Sequence, residues 1–275
     1  MTRYYISGSN GRIGSTICGL LRMQGHEIEP VTRAHLHLES DLGFKQNVKE
    51  SKILLHLAWP VNGIDYRNSL ENQEFLKVSK NFFAKYADSF DKVLVPGSIL
   101  EMPKYKNELH DDTSAEPRCR YSESKVMLHD WVMQNRINYS WPIIPYVVSA
   151  KDPEFKLIPT ILRAVKKPEL PVPLKSPKIE RNFIHVRECA SIIVACVNKD
   201  VVGRYLIGSE TDITSADLVE EFKLNWESVE TEHEEREIKQ KLVFLKMYRA
   251  SHGKKVTNHE RASQLRNLIL HELRT

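Results

Sequence analysis

Residues 4–14, Tyr-Tyr-Ile-Ser-Gly-Ser-Asn-Gly-Arg-Ile-Gly, constrain this chain more than any other stretch. The apolar run Tyr4 to Ile6 reads as a short buried strand. It leads into three glycines, Gly8, Gly11 and Gly14, and apolar residues then recur at helical spacing as Ile13, Ile17, Leu20 and Leu21. Strand, glycine turn and helix in immediate succession impose a local geometry. One glycine permits a tight turn with positive φ. Another lets the backbone approach a ligand, and the last lets helix and strand pack closely. The N-terminus of the helix then presents unpaired N–H groups, which suit an anion. In this context the turn reads as a dinucleotide fingerprint, with the pyrophosphate on the helix N-terminus.

The residues that follow extend the pattern. Glu27 to Thr32 reads as a second strand, interrupted by Pro30 and ending at Arg33. When such a site takes NAD, an acidic residue near this point holds the ribose 2′-hydroxyl. Here Arg33 occupies the place and Arg12 sits inside the turn, so two cations favour a 2′-phosphate and hence NADP(H) ahead of NAD(H). The continuous apolar run Ile53 to Ala58 suits a parallel strand buried on both faces. Asp65 to Ser89 reads as a long amphipathic helix, and Lys92 to Pro96 as a further strand ending at Gly97-Ser98. Strand and helix alternate, which predicts a doubly wound parallel α/β sheet. Ligands bind such sheets at the carboxyl ends of the strands, where Gly8, Arg33, Ala58 and Ser98 all fall.

After a polar loop, Pro103 to Arg120, a helix opens with Tyr121-Ser122-Glu123-Ser124-Lys125 and runs through Trp131. Residues four apart share a helix face, so Tyr121 and Lys125 stand side by side. The ammonium is expected to lower the phenol's pKa and fit the pair for acid–base work.

Bulk properties exclude several classes. A chain of 275 residues can form one large α/β domain, or a domain with a small lobe. A net charge of +4 does not by itself argue for nucleic acid. Four scattered cysteines, without a Cys-x-x-Cys pair, indicate neither a zinc site nor a disulfide framework and suit a reducing cytoplasm. There is no basic-then-apolar leader, and no apolar run of about 18 residues for a membrane span.

Taken together, the glycine turn at 8–14, His56-Leu57-Ala58, Gly97-Ser98, and Tyr121 with Lys125 resemble the short-chain dehydrogenase/reductase superfamily. The closer resemblance is to its extended branch of nucleotide-sugar epimerases, dehydratases and reductases. Arg181-Asn182-Phe183-Ile184-His185-Val186 is similar to that branch's "RDFIHV" stretch, and residues 202–209 to its late strand. The resemblance implies a Rossmann-type sheet with a small C-terminal substrate lobe. It places the NADP-binding part in residues 1–150 with about 179–207, and the substrate lobe in 151–178 and 208–275.

The resemblance also implies roles. Tyr121 is the proton donor or acceptor at a substrate oxygen, Lys125 binds the nicotinamide ribose and tunes Tyr121, and Ser98 hydrogen-bonds the same oxygen. The turn, with Gly8, Asn10, Gly11, Arg12, Ile13 and Gly14, holds the pyrophosphate. Asp41 and Leu42 lie against the adenine, and Leu57 and Ala58 line the dinucleotide. Arg181 meets a phosphate of a nucleotide-sugar substrate. A homodimer through the 65–89 and 121–135 helices is implied as well.

Three departures bear on the reaction. Dehydratases of this branch carry Asp-Glu directly after the strand-end hydroxyl residue. Ser98 is followed instead by Ile99-Leu100, with Glu101 one place too late, so elimination of water is disfavoured. The branch's "RLFNVYGP" is matched only loosely by Pro145 to Ala150, and Arg187 replaces an acidic residue after the "RDFIHV" match. The tail is the least family-like part. Residues 228–251 and 261–274 read as two amphipathic helices closing the substrate lobe, and His233, His252, His259 and His271 lack metal-ligand spacing. The expected activity is NADPH-dependent reduction of a keto group on a nucleotide-linked 4-keto-6-deoxy sugar. A nucleotide-sugar epimerase and a non-catalytic NADP-binding sensor are the alternatives.

Overall fold

The computed structural model describes residues 2–44, 50–61, 63–103, 108–229, 241–242 and 256–274. In chain order the first half comprises β1 (Thr2–Ser7), α1 (Arg12–Met23), β2 (Glu27–Val31), α2 (Arg33–Leu36), β3 (Ser51–His56), α3 (Glu71–Tyr86), β4 (Lys92–Leu94), β5 (Gly97–Ser98), β6 (Glu108–Leu109), α4 (Arg120–Gln134) and β7 (Tyr139–Ile144). The second comprises β8 (Tyr146–Val148), α5 (Leu157–Ala164), β9 (Val172–Leu174), β10 (Phe183–His185), α6 (Val186–Asn198), β11 (Gly203–Leu206), α7 (Ser215–Glu221), β12 (Trp226–Ser228), β13 (Lys241–Leu242) and α8 (Asn258–Glu272). The chain divides into two compact units.

The first unit, residues 1–103, 114–144 and 190–205, carries the main sheet. Its strand order is β11-β7-β4-β3-β1-β2, with β5 beside β7. The pairs β1–β2, β1–β3, β3–β4, β4–β7 and β5–β7 are all parallel. This is a doubly wound, Rossmann-like sheet: β2 lies on one side of β1 and β3, β4, β7 and β11 follow on the other, so the strand order reverses between β1 and β3. Tyr4, Ile6, Leu54, Leu55, Val93 and Leu94 are buried, as parallel strands covered on both faces require. Pro30 sits in β2 opposite Ile6, on the edge strand, the one place in a sheet where a missing N–H is tolerated. The 65–89 helix begins later than its apolar pattern predicts. Asn72 Nδ2 donates to the Tyr66 and Ser69 carbonyls, which holds residues 66–69 in a turn and starts α3 at Glu71.

The second unit, residues 104–113, 145–189 and 206–275, has its own core, in which Val148, Ile158, Phe183, Leu218, Leu265 and Ile269 are buried together. The boundaries differ from the expected ones for a reason of strand pairing. β8 and β10 pair in parallel, Tyr146 opposite Phe183, so residues 145–150 and 179–189 belong together and to this unit. The loop 103–120, expected to be irregular, contributes β6, which pairs with β13. Of the two tail helices expected, the second is α8. The first, at 228–251, falls largely outside the described residues, as do His233 and His252.

Glu272 at the end of α8 accepts from the Ser149 hydroxyl at 2.7 Å and the Ala150 amide at 2.8 Å, and meets His185 Nε2 at 3.1 Å. Arg261 on the same helix forms a two-bonded pair with Glu188, both contacts at 2.8 Å. The two weakly matching motifs, 145–150 and 181–188, are thus neighbours fastened to the tail. The retained acidic residue, Glu188, serves Arg261 and the His185 amide, while Arg187 reaches His271. Among the described residues no helix is long and apolar enough to cross a membrane, and no group of three or more His, Cys, Asp or Glu side chains is disposed to hold a metal ion.

Candidate active site

The glycine turn is closed by contacts that tolerate no side chain. Gly8 has φ of +69°, and a Cβ there would stand 2.8 Å from the Ala58 amide nitrogen. A Cβ on Gly14 would stand 2.1 Å from the Gly8 carbonyl oxygen, so this glycine lets α1 start against the turn. The Gly11 amide donates to the Gly8 carbonyl at 2.9 Å. Gly11 is also the N-cap of α1, where no side chain caps the helix and no acidic residue enters the first turn. A helix N-terminus without an internal anion accommodates a phosphate, so the turn fits the pyrophosphate of a dinucleotide.

Leu57 and Ala58 lie directly against this turn. Their amides donate to the Ser7 carbonyl at 3.1 Å and the Ser7 hydroxyl at 3.2 Å. Ser7 in turn contacts His56 Nδ1, and His56 Nε2 reaches Ser79 on α3, both at 3.0 Å. Burial and then the Lys125 charge push His56 down to about 3, so it is a neutral hydrogen-bonding link between the strand ends and α3.

At the end of β2 the charges sort themselves. Arg3 takes Glu27, Glu29 and Glu50 as partners, with contacts of 2.6 Å to the last two. The strand's own carboxylates are therefore engaged beside β1. The guanidinium of Arg33, exposed in the first turn after the strand, has no hydrogen-bond or ion-pair partner among the described residues. Leu42 is buried, and Asp41 accepts from Lys85 at 2.5 Å and the Tyr86 hydroxyl at 2.7 Å, which hold its carboxyl below the usual range.

Ser98, Tyr121 and Lys125 come together within the first unit. Ser98 ends β5, its hydroxyl accepts from the Leu100 amide at 3.2 Å, and it stands close enough to the Tyr121 phenol to favour its ionised form. Tyr121 stands in the first turn of α4, its amide donating to the Arg67 carbonyl at 2.9 Å. Lys125, one turn on, is 3% exposed. Its ammonium donates to the Pro96 carbonyl at 3.0 Å and lies 4.0 Å from the centre of the Trp59 ring. Burial pushes Lys125 down to about 8, against the Glu101 carboxylate, which pulls it up. The Tyr121 phenol is not lowered as its spacing from Lys125 suggests. Burial raises it, followed by the Glu101 and Tyr66 charges, because the lysine is turned to Pro96 and Trp59. The phenol consequently stays protonated through neutral pH.

Arg181 belongs to the second unit. Its backbone bridges Ile213, its guanidinium donates to the Ser176 and Ile179 carbonyls, and it stacks 5.9 Å from the Tyr146 ring.

Two groups at the site escaped sequence reasoning. Trp59 directly follows Leu57-Ala58 and forms a wall with Tyr66, their rings 6.2 and 5.5 Å from that of Tyr121. An aromatic one place beyond a dinucleotide-lining pair was the available signal. Glu101, set aside by its spacing, is 1% exposed and donates nothing. One oxygen accepts from the Ser98 amide at 2.7 Å and the other from the Trp141 indole at 3.2 Å.

A family model described as the NAD dependent epimerase/dehydratase family matches residues 4–208, a span that includes the turn, Ser98, Tyr121 and Lys125. The chain belongs to that family. It is an NAD(P)-dependent enzyme of the short-chain dehydrogenase/reductase type, and its cofactor is a nicotinamide dinucleotide.

Solved structures share the fold at low identity. A GDP-mannoheptose C4 reductase from Campylobacter jejuni with NADP bound is similar at 15% identity over 97% of both chains, TM-score 0.70. A dTDP-4-dehydrorhamnose reductase from Clostridium acetobutylicum is similar at 13% identity over 100% of both, TM-score 0.74. A UDP-glucose 4-epimerase from Thermus thermophilus, in complex with NAD, is similar at 15% identity over 99% of both, TM-score 0.67. No curated protein sequence matches the chain.

Proposed function

We propose that this protein reduces a keto group on a nucleotide-linked 4-keto-6-deoxy sugar, using NADPH. The observation that carries the reading is Tyr121, a half-buried phenol that stays protonated through neutral pH, with Ser98 close by and the Trp59 and Tyr66 rings against its own. Reduction needs a proton donor at the carbonyl oxygen, and a neutral phenol is one. Oxidation would need the phenolate, which burial and the nearby Glu101 carboxylate disfavour. When bound, the nicotinamide supplies the hydride that goes to the ketone carbon. Tyr121 gives its proton to the ketone oxygen and Ser98 orients that oxygen by a hydrogen bond, so hydride and proton together make the alcohol. Lys125, its ammonium on the Pro96 carbonyl and over the Trp59 ring, is assigned to the nicotinamide ribose.

The preference for NADPH rests on Arg33, a cation without a partner among the described residues, while the carboxylates of β2 are taken by Arg3. Ile99 and Leu100, both buried and apolar, stand where a dehydratase carries its acidic pair, which argues against elimination of water. An epimerase that keeps NAD bound would be served by an acidic residue in the place of Arg33. A sensor without catalysis would have no use for the Tyr121–Lys125 pair. Arg181 is assigned to a phosphate of the nucleotide sugar. The same reading carries a homodimer through α3 and α4 and a reducing cytoplasm, in which the buried Cys18, Cys189 and Cys196 stay thiols.

The test is a titration with NADPH and with NADH, followed by nicotinamide absorbance with a panel of 4-keto-6-deoxy nucleotide sugars. Tighter NADPH binding and net loss of absorbance on one sugar are expected. Tightly co-purified NAD with no net absorbance change would replace the reductase by the epimerase. Cofactor binding with no sugar consumed would leave the sensor.

A further inference from the structure

We propose that Glu101 is a positioning residue of this site: held between the Ser98 amide and the Trp141 indole, it fixes Ser98 at the end of β5 and sets a carboxylate on the side of the site that Lys125 occupies. The proposal rests on the reductase reading only for its kinetic readout.

Glu101 closes a three-residue 3-10 turn, Ile99–Glu101, that begins at Ser98. The turn is short enough to return the side chain of the third residue to the amide of the residue before it, and the 2.7 Å contact to Ser98 N results. Capping alone does not account for the arrangement, because a cap works as well at a wet surface. Here the carboxylate is 1% exposed and its second oxygen is given to an indole that is itself fully buried.

That indole reaches Glu101 because of a glycine. A Cβ on Gly97 would lie 2.3 Å from Trp141 Nε1 and 2.6 Å from Ile143 Cδ1, so only glycine lets the ring lie under β5. Gly97, Trp141 and Glu101 thus form one assembly whose product is the placement of Ser98.

Charge gives the assembly its second role. The carboxylate is opposed from α4 by Lys125 and from β11 by Arg204, with the Tyr121 phenol close by. From the 102–118 side Arg118 donates to the Ile99 and Met102 carbonyls. His129, 4.8 Å from the Trp141 ring, is pushed down to about 4 by burial and then Arg204, and so carries no charge at neutral pH. Burial drives Glu101 up to about 7 and Lys125 down to about 8, and each charge partly opposes the shift of the other.

The experiment is an NMR titration of ¹³Cε-labelled lysine in the full chain, with the Lys125 resonance assigned by its loss in Lys125→Arg. It is run on the natural chain, Glu101→Gln and Trp141→Phe. The Lys125 midpoint is expected near 8 in the natural chain and lower by about one pH unit in Glu101→Gln. Under the reductase assay Glu101→Gln should lose about 10- to 100-fold in kcat with KM within about twofold, and its alkaline limb should move toward neutrality by the same shift. Trp141→Phe keeps the charge and frees one oxygen, so a several-fold fall in kcat is expected, together with a smaller Lys125 shift in the same direction.

A folded Glu101→Gln with an unmoved Lys125 midpoint overturns the proposal. If Glu101→Gln does not fold, an unchanged kcat in Trp141→Phe overturns it. If the natural chain reduces none of the sugars, the reductase reading fails by itself, and the Lys125 midpoints still decide this one.

Discussion

Each unit of the molecule contains a cluster of buried polar groups, and the two clusters are built on opposite terms. In the second unit, Glu272 is desolvated, which raises its pKa, but hydrogen bonds from Ser149 and Ala150 and the proximity of His185 outweigh this and lower it overall. Its oxygens are matched by donors, and the neighbouring Arg261–Glu188 pair is two-bonded. In the first unit, Glu101 stays up at about 7, Lys125 stays down at about 8, and Tyr121 is raised, all with burial as the largest cause. A satisfied cluster works as a fastening. A cluster that keeps groups away from their ordinary values works as a chemical site.

Four substitutions test that distinction. The largest effect is expected for Tyr121→Phe, which removes the proton but not the ring. Turnover should fall by about 10³-fold or more, with NADPH affinity changed less than about threefold, by steady-state kinetics and cofactor fluorescence. Turnover that survives the change would remove Tyr121 from the acid role. Glu272→Gln should instead act on stability. It sets an amide against three donors and should cost about 2–3 kcal/mol in denaturant unfolding, with the chemical step of any surviving enzyme unchanged. Arg33→Ala represents a third kind of charge, exposed and without a described partner. About tenfold weaker NADPH binding with NADH binding unaltered is expected, and equal weakening of both would remove Arg33 from 2′-phosphate recognition.

The smallest effect, and the one that separates the clusters most sharply, is in the pH dependence of stability. Glu101 has a folded pKa above its ordinary 4.5. Its contribution is therefore complete at acid pH and is lost as pH rises through about 7. Lys125, at about 8 against an ordinary 10.5, disfavours folding below 8, and that cost fades between 8 and 10.5. Glu272 has the opposite sign to Glu101: its lowered pKa stabilises above 4.5, and the contribution is lost as pH falls through the folded value. At pH 8, calorimetry should find Glu101→Gln destabilised less than Glu272→Gln, because loss of the buried charge offsets part of the cost of setting an amide against the Trp141 indole. A loss as large as that of Glu272→Gln would class Glu101 with Glu272.

Much of this was legible in the residues. The glycine turn, the buried runs of β1 and β3, Ser98 at a strand end and the Tyr121–Lys125 spacing depend on local geometry, and local geometry is what a sequence encodes most directly. Glu101 was set aside because it stands one place beyond the acidic pair of a dehydratase, and that comparison says nothing of how the chain turns after Ser98. In a 3-10 turn the side chain of the third residue can reach the amide of the residue just before the turn, which is how Glu101 touches Ser98 N. The behaviour of Tyr121 was hidden for a different reason. Its pKa is set by burial and by Glu101 and Tyr66, none of them within four residues on its helix. The unit boundary likewise followed the pairing of β8 with β10, partners 37 residues apart (Phe183 less Tyr146), which no local pattern reveals.

The edge strand β2 has a consequence for how the chain behaves when crowded. A sheet recruits foreign strands through a row of free amides, and β2 interrupts that row at Pro30. Glu27 and Glu29, one on either side of position 28 and both salt-bridged to Arg3, add negative charge along the same five residues. An incoming strand would lose a hydrogen bond in mid-register and meet two fixed carboxylates just before the gap. This margin of the sheet is therefore protected against templating aggregates, and filaments or inclusion bodies of this protein should not grow from it.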